Sequence, residues 1–123
     1  MTRVLVVDDL EVNVLLLKAK LSAANYSVLS AESGAKAIET ARAEHPDIIL
    51  LDVMMPGMDG YQACKILKNT PETSDIPVVM VTALDGESDM EAGFRAGADG
   101  YITKPVNDKL LFSQINELTH AAA

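Results

Sequence analysis

Asp8 and Asp9 close one short apolar run, Val4–Val7, and Asp52 closes another, Ile48–Leu51. Thr82 ends a third run, and Lys104 follows Tyr101-Ile102-Thr103 and stands directly before Pro105. Adjacent carboxylates repel one another and resist joint ionisation near neutral pH unless a cation stands between them. A hard divalent cation relieves that repulsion, and Mg2+ held by carboxylates, water and a phosphate oxygen suits this set. Lys104 then serves a phosphoryl oxygen as a point charge, and Thr82 serves another as a neutral donor. Taken singly, each residue has an ordinary explanation. Asp-Asp after a strand turns the chain and caps a helix, Thr caps, and Lys-Pro carries little information. Four strand ends that bring acids, a hydroxyl and a base to one edge point instead to phosphoryl chemistry.

Such an edge exists only if these runs are strands of one parallel sheet. Arg3–Asp8, Asp47–Asp52 and Pro77–Thr82 are short, continuous and apolar, the pattern of strands buried on both faces. Ser27–Ala31 and Asp99–Ile102 read as shorter strands. Between them lie helical patterns. Val14, Leu17 and Leu21 share a face within Val12–Ala24, and Ser33 caps a helix that Pro46 ends. Asp59 with Gln62 forms a capping box for a helix reaching about Asn69. Glu87–Ala96 is followed by Gly97, suited to a left-handed cap, and Leu111, Ile115 and Leu118 mark a last helix. Five β-then-α units with short connections predict an α/β domain, a parallel sheet with right-handed crossovers and helices on both faces. Ligands of such sheets bind beyond the carboxyl ends of the strands, where strand order reverses.

The chain has 123 residues, 49% hydrophobic and 23% charged, which predicts one folded domain over 1–123. Ala121–Ala123 reads as a frayed tail or the start of a linker. Ten basic against eighteen acidic residues give a net charge of −8, which repels nucleic-acid backbones, and the absence of Trp removes an aromatic platform for single strands. No apolar run approaches the ~20 residues of a membrane helix, and the first run is too short for a signal peptide. A single cysteine, Cys64, forms no internal disulfide, so a reducing cytoplasm is expected.

Val6-Val7-Asp8-Asp9, Leu51–Gly60, Val81-Thr82-Ala83 and Thr103-Lys104-Pro105 together resemble the receiver domain of two-component response regulators, in the expected order and over nearly the whole chain. The resemblance implies a flavodoxin-like (βα)5 fold with strand order 2-1-3-4-5. It implies that Asp52 is the phosphoacceptor and that Asp8, Asp9, Asp52 and the backbone carbonyl of Met54 arrange Mg2+. It further implies that Thr82 is the switch hydroxyl, Tyr101 the switching aromatic and Lys104 the phosphate-contacting base, with a cis bond to Pro105. The implied partner is a sensor histidine kinase or a histidine phosphotransfer protein. The signal would leave through the face of Glu87–Ala96, Asp99–Ile102 and Val106–Leu118, as a homodimer or through an output domain or effector. Leu51–Gly60 with Thr82–Gly86 is similar, more narrowly, to the first receiver of PleD-type diguanylate cyclase regulators. The chain is expected to be a stand-alone receiver or one excised from a larger regulator.

Two other functions compete. A Mg2+-dependent phosphatase with an aspartyl nucleophile, of the haloacid-dehalogenase kind, needs a second acid two residues after Asp52, where Met54 stands. A receiver-like module that binds without phosphorylation has no need of the full acid, Thr and Lys set. The remaining features read as structural. Met54, Met55 and Met58 pack a loop, Cys64 is a buried small hydrophobe, and His45 and His120 lack ligand spacing. Asn25-Tyr26-Ser27 matches a glycosylation sequon by chance, and no G-x-G-x-x-G, P-loop or G-x-S-x-G is present.

Overall fold

The computed structural model describes residues 1–120, so the tail Ala121–Ala123 lies outside the described residues. Ten elements alternate: β1 (Arg3–Val7), α1 (Glu11–Ala23), β2 (Ser27–Ala31), α2 (Gly34–Glu44), β3 (Ile48–Leu51), α3 (Gly60–Asn69), β4 (Val78–Thr82), α4 (Glu87–Arg95), β5 (Gly100–Thr103) and α5 (Asp108–His120). All strand pairs are parallel and the order is β2-β1-β3-β4-β5, the flavodoxin-like arrangement.

The continuous apolar runs become intelligible once the faces are separated. Side chains alternate across a strand, and here both sides are covered. Leu5, Val7, Ile49, Leu51, Val78 and Met80 pack with Ala37, Ala41, Ala63, Cys64 and Leu67 from α2 and α3. Val4, Val6, Ile48, Leu50, Val79 and Val81 pack with Leu17, Leu21, Leu111 and Ile115 from α1 and α5. Tyr101 and Ile102 divide between the two layers in the same way. The small residues of α2, Ala37 and Ala41, are fully buried and let that helix lie close to the sheet.

Caps follow the sequence where a side chain is available. Ser33 Oγ accepts from Lys36 N at 3.1 Å, and Asp59 and Gln62 form the reciprocal capping box at 2.9 and 3.0 Å. Two ends differ from expectation. Helix α1 begins at Glu11 after Leu10, with no side-chain cap, and the Asp8 carboxylate accepts from Leu10 N instead. Asp99 lies just before β5, where it accepts from Val78 N at 2.9 Å and pairs with Lys68 Nζ at 2.8 Å. Its N–H also donates to Val78 O at 2.7 Å, so Asp99 ties the start of β5 to β4 through both backbone and side chain. The three loop methionines divide: Met55 is buried, Met58 is half-buried against the core, and Met54 is exposed. No helix of the described residues is long and apolar enough to cross a membrane.

Gly60 opens α3 in close contact with the end of β3. Its N–H donates to Val53 O at 2.9 Å, and a Cβ there would run into the Asp52 carbonyl oxygen and stand 2.7 Å from Val53 Cα. Both obstacles are backbone and cannot swing aside. Gly60→Ala is therefore expected to cost about 1–3 kcal/mol of stability, the usual range for overpacking. A urea unfolding midpoint that does not fall would contradict this packing.

Candidate functional site

Strand order reverses around β1, which pairs with β2 on one side and β3 on the other. Val7 pairs with Leu51 and Thr82 with Thr103, so residues just beyond these positions are neighbours by register. Asp52 N donates to Val7 O at 3.0 Å and Lys104 N donates to Thr82 O at 2.8 Å, which extends the ladder to the site residues themselves. Asp8, Asp9, Asp52, Thr82 and Lys104 thus meet through backbone pairing rather than through long flexible loops.

Oxygen atoms of Asp8, Asp9 and Asp52 all lie within 4.8 Å of one another, a grouping able to hold a metal ion. Asp8 and Asp52 are buried and Asp9 is half-buried. Lys104 Nζ donates to Asp8 Oδ2 at 3.0 Å and stands 3.6 Å from Asp52 Oδ2. Met54 N donates weakly to Asp52 Oδ1 at 3.3 Å. Thr82 is fully buried, and its Oγ1 accepts from Leu84 N at 3.3 Å. Burial pushes the Asp52 carboxyl above its usual range, and the Asp8 charge adds to that. Lys104, the Met54 amide and the Thr82 hydroxyl pull it back down. The donor set is all oxygen, carries excess negative charge and includes one member reluctant to ionise, which is the chemistry of a hard-cation site.

Tyr101 faces inward. Its ring is 7% exposed, its hydroxyl donates to Leu84 O at 2.8 Å, and Phe94 tilts against it at 6.4 Å between centroids. Burial, and after it the neighbouring Tyr61 hydroxyl, hold the Tyr101 phenol far above its ordinary range. The Lys104–Pro105 peptide is cis. Cys64 is fully buried on α3 and burial pushes its thiol up to about 11, the state of an unreactive core residue. His45 lies away from the acidic cluster, with Nε2 3.3 Å from Asp75 Oδ1.

Tyr61 was not legible as part of this region. On α3, directly after Gly60, its hydroxyl donates to Asp89 O in the first turn of α4 at 2.9 Å. A tyrosine in the first turn of a helix carries no spacing signal for such a contact.

A profile of the response regulator receiver domain matches residues 4–116. The response regulator PleD of Caulobacter vibrioides is 53% identical over 117 residues, which make up 95% of this chain and 26% of PleD. This chain therefore spans about a quarter of that relative's length. The protein PilH of Pseudomonas aeruginosa is 44% identical over 116 residues, 94% of this chain and 96% of PilH. Among solved structures, the receiver domain of the sensor histidine kinase PA1611 from Pseudomonas aeruginosa superposes with a TM-score of 0.89 at 27% identity, covering 96% of this chain and 97% of that one. That structure has a magnesium ion coordinated in its active site cleft.

Proposed function

The chain belongs to the response regulator receiver domain family, whose members are phosphorylation-controlled signalling switches, and from that premise we propose that Asp52 is its phosphoacceptor. The observation that carries this reading is a buried carboxylate at a strand end, grouped with Asp8 and Asp9 and facing the Lys104 ammonium at 3.6 Å. An Asp52 oxygen lone pair forms the new bond to phosphorus as the bond from phosphorus to the donor nitrogen breaks. The donor is a phosphohistidine of a sensor histidine kinase or a histidine phosphotransfer protein.

Asp8, Asp9 and Asp52, with the Met54 carbonyl, are the groups to hold Mg2+, which when bound would offset the charge gathered between donor and acceptor. Lys104 and Thr82 orient the incoming group and hold two of its oxygens after transfer. Lys104 already faces the pocket through its contact with Asp8, so little side-chain rearrangement is required. The domain assists its own phosphorylation and the later hydrolysis. The signal leaves through the α4–β5–α5 face, by homodimerisation or by contact with an output domain or effector. The full 1–123 chain acts as one receiver module in the cytoplasm, binding neither nucleic acid nor membrane.

Acetyl phosphate with Mg2+ tests this reading. Uptake should saturate at one phosphate per chain, and hydroxylamine should release it. Steady turnover of a phosphate monoester without saturable labelling would favour the phosphatase alternative instead. That chemistry lacks its second acid here, because Met54 holds that position and a thioether has no proton to give.

A further inference from the structure

The segment between β4 and α4 carries Thr82 into the site, yet its own anchorage is slight. Gly86 is the N-cap of α4 and has no side chain with which to cap it. The helix start is tied by Asp89 Oδ2, which accepts from Gly86 N at 3.2 Å, and by two phenols from elsewhere in the fold. Tyr101 of β5 donates to Leu84 O at 2.8 Å, and Tyr61 of α3 donates to Asp89 O at 2.9 Å. Leu84 N in turn donates to Thr82 Oγ1, so fixing Leu84 sets the direction of the hydroxyl. Gly93 completes the arrangement, since a Cβ there would stand 3.0 Å from Tyr101 Cδ2 and 3.1 Å from Cε2 and press on the inward ring.

We propose that Tyr61 is a positioning residue of the switch: with Tyr101 it clamps both ends of the Leu84–Asp89 segment and so holds Thr82 toward Asp52. This inference rests on the reading of Asp52 as phosphoacceptor. Tyr61 is suited to the task by where it is rooted. It follows Gly60, whose N–H is bound to Val53 O next to Asp52, so the phenol links the backbone beside the acceptor to the first turn of α4. A phosphoryl group that draws on Thr82 needs the clamped arrangement. Its apparent affinity is reduced by whatever fraction of molecules lack that arrangement. A half-buried phenol can also be satisfied by water, so the bond to Asp89 is not forced by burial and its contribution is open to measurement.

The test compares the whole chain with Tyr61→Phe, using beryllofluoride and Mg2+ as a phosphoryl analogue. Phe keeps the ring and removes only the hydroxyl. Three quantities are followed: beryllofluoride affinity, amide exchange over Gly86–Met90, and affinity for Mg2+ alone. Losing one hydrogen bond should weaken beryllofluoride binding about fivefold and quicken exchange over that segment. Mg2+ affinity should stay unchanged. If the variant binds beryllofluoride as tightly as the native chain, the clamp is refuted while the phosphoacceptor reading stands. An equal loss of Mg2+ affinity refutes it too, because a general packing defect would then account for the result. Failure of the native chain to bind the analogue removes the phosphoacceptor reading and this inference with it. Tyr101→Phe gives a second check: it should weaken analogue binding in the same direction, and no change there overturns the two-phenol clamp.

Discussion

Asp52→Asn is expected to acquire no hydroxylamine-labile phosphate and to be more stable than the native chain in metal-free buffer at pH 7. The first effect is all or none, because the amide has no anionic oxygen with which to attack phosphorus. The second follows from the direction of the Asp52 shift. Burial, with the Asp8 charge behind it, holds this carboxyl above its ordinary value of 3.8 in the folded chain. Between that value and the folded pKa, the folded state binds more protons than the unfolded state. Stability therefore falls as pH rises through that window, and the deficit is complete above the folded pKa. Asn has no proton to lose and escapes the deficit. Its advantage should be largest at neutral pH and shrink toward zero as pH falls below 3.8. The loss of Lys104's attraction opposes the gain, but Lys104 keeps its closer contact with Asp8 at 3.0 Å. Thermal unfolding of both proteins from pH 3 to pH 8 measures the difference. A variant that is less stable at pH 7, or that still takes up one equivalent of phosphate, would contradict this account of Asp52.

Residues that stand at strand ends were legible because parallel pairing leaves them no choice of place. Once Val4–Val7 and Ile48–Leu51 are neighbouring strands, Asp8 and Asp52 must adjoin, and the register of Val7 with Leu51 bears this out. The five β-then-α units and the capping box at Asp59 were legible for a similar reason, since each rests on local spacing. What the sequence did not yield are contacts between elements distant in the chain. Asp99 spends its carboxylate on Val78 and Lys68, and Tyr61 reaches Asp89 across 28 positions. Neither has a periodicity to announce it. The inward seat of Tyr101 belongs to the same class, because it rests on close packing against Gly93 of α4 and on the bond to Leu84 O.

Asp9 should matter for Mg2+ and for almost nothing else. Asp8 is committed to Leu10 N and to Lys104, and Asp52 to Met54 N and Lys104. Asp9 has no such tie among the described residues, although its carboxylate shares the same cluster. A carboxylate kept in an acidic pocket without a partner adds repulsion, which only a bound cation turns into attraction. Asp9→Asn is therefore expected to weaken Mg2+ binding at least about tenfold, as loss of a ligating group does, while leaving metal-free stability equal or slightly higher. Calorimetric titration with Mg2+ gives the first quantity and urea unfolding the second. Excess chelator carries the same logic to its limit. Removing the cation leaves the acceptor and the donor phosphoryl group to repel each other with only Lys104 between them, and labelling by acetyl phosphate should fall about a hundredfold or more. Labelling that persists in chelator, or an Asp9→Asn chain that binds Mg2+ at native affinity, would mean that the three carboxylates meet for a reason other than a metal.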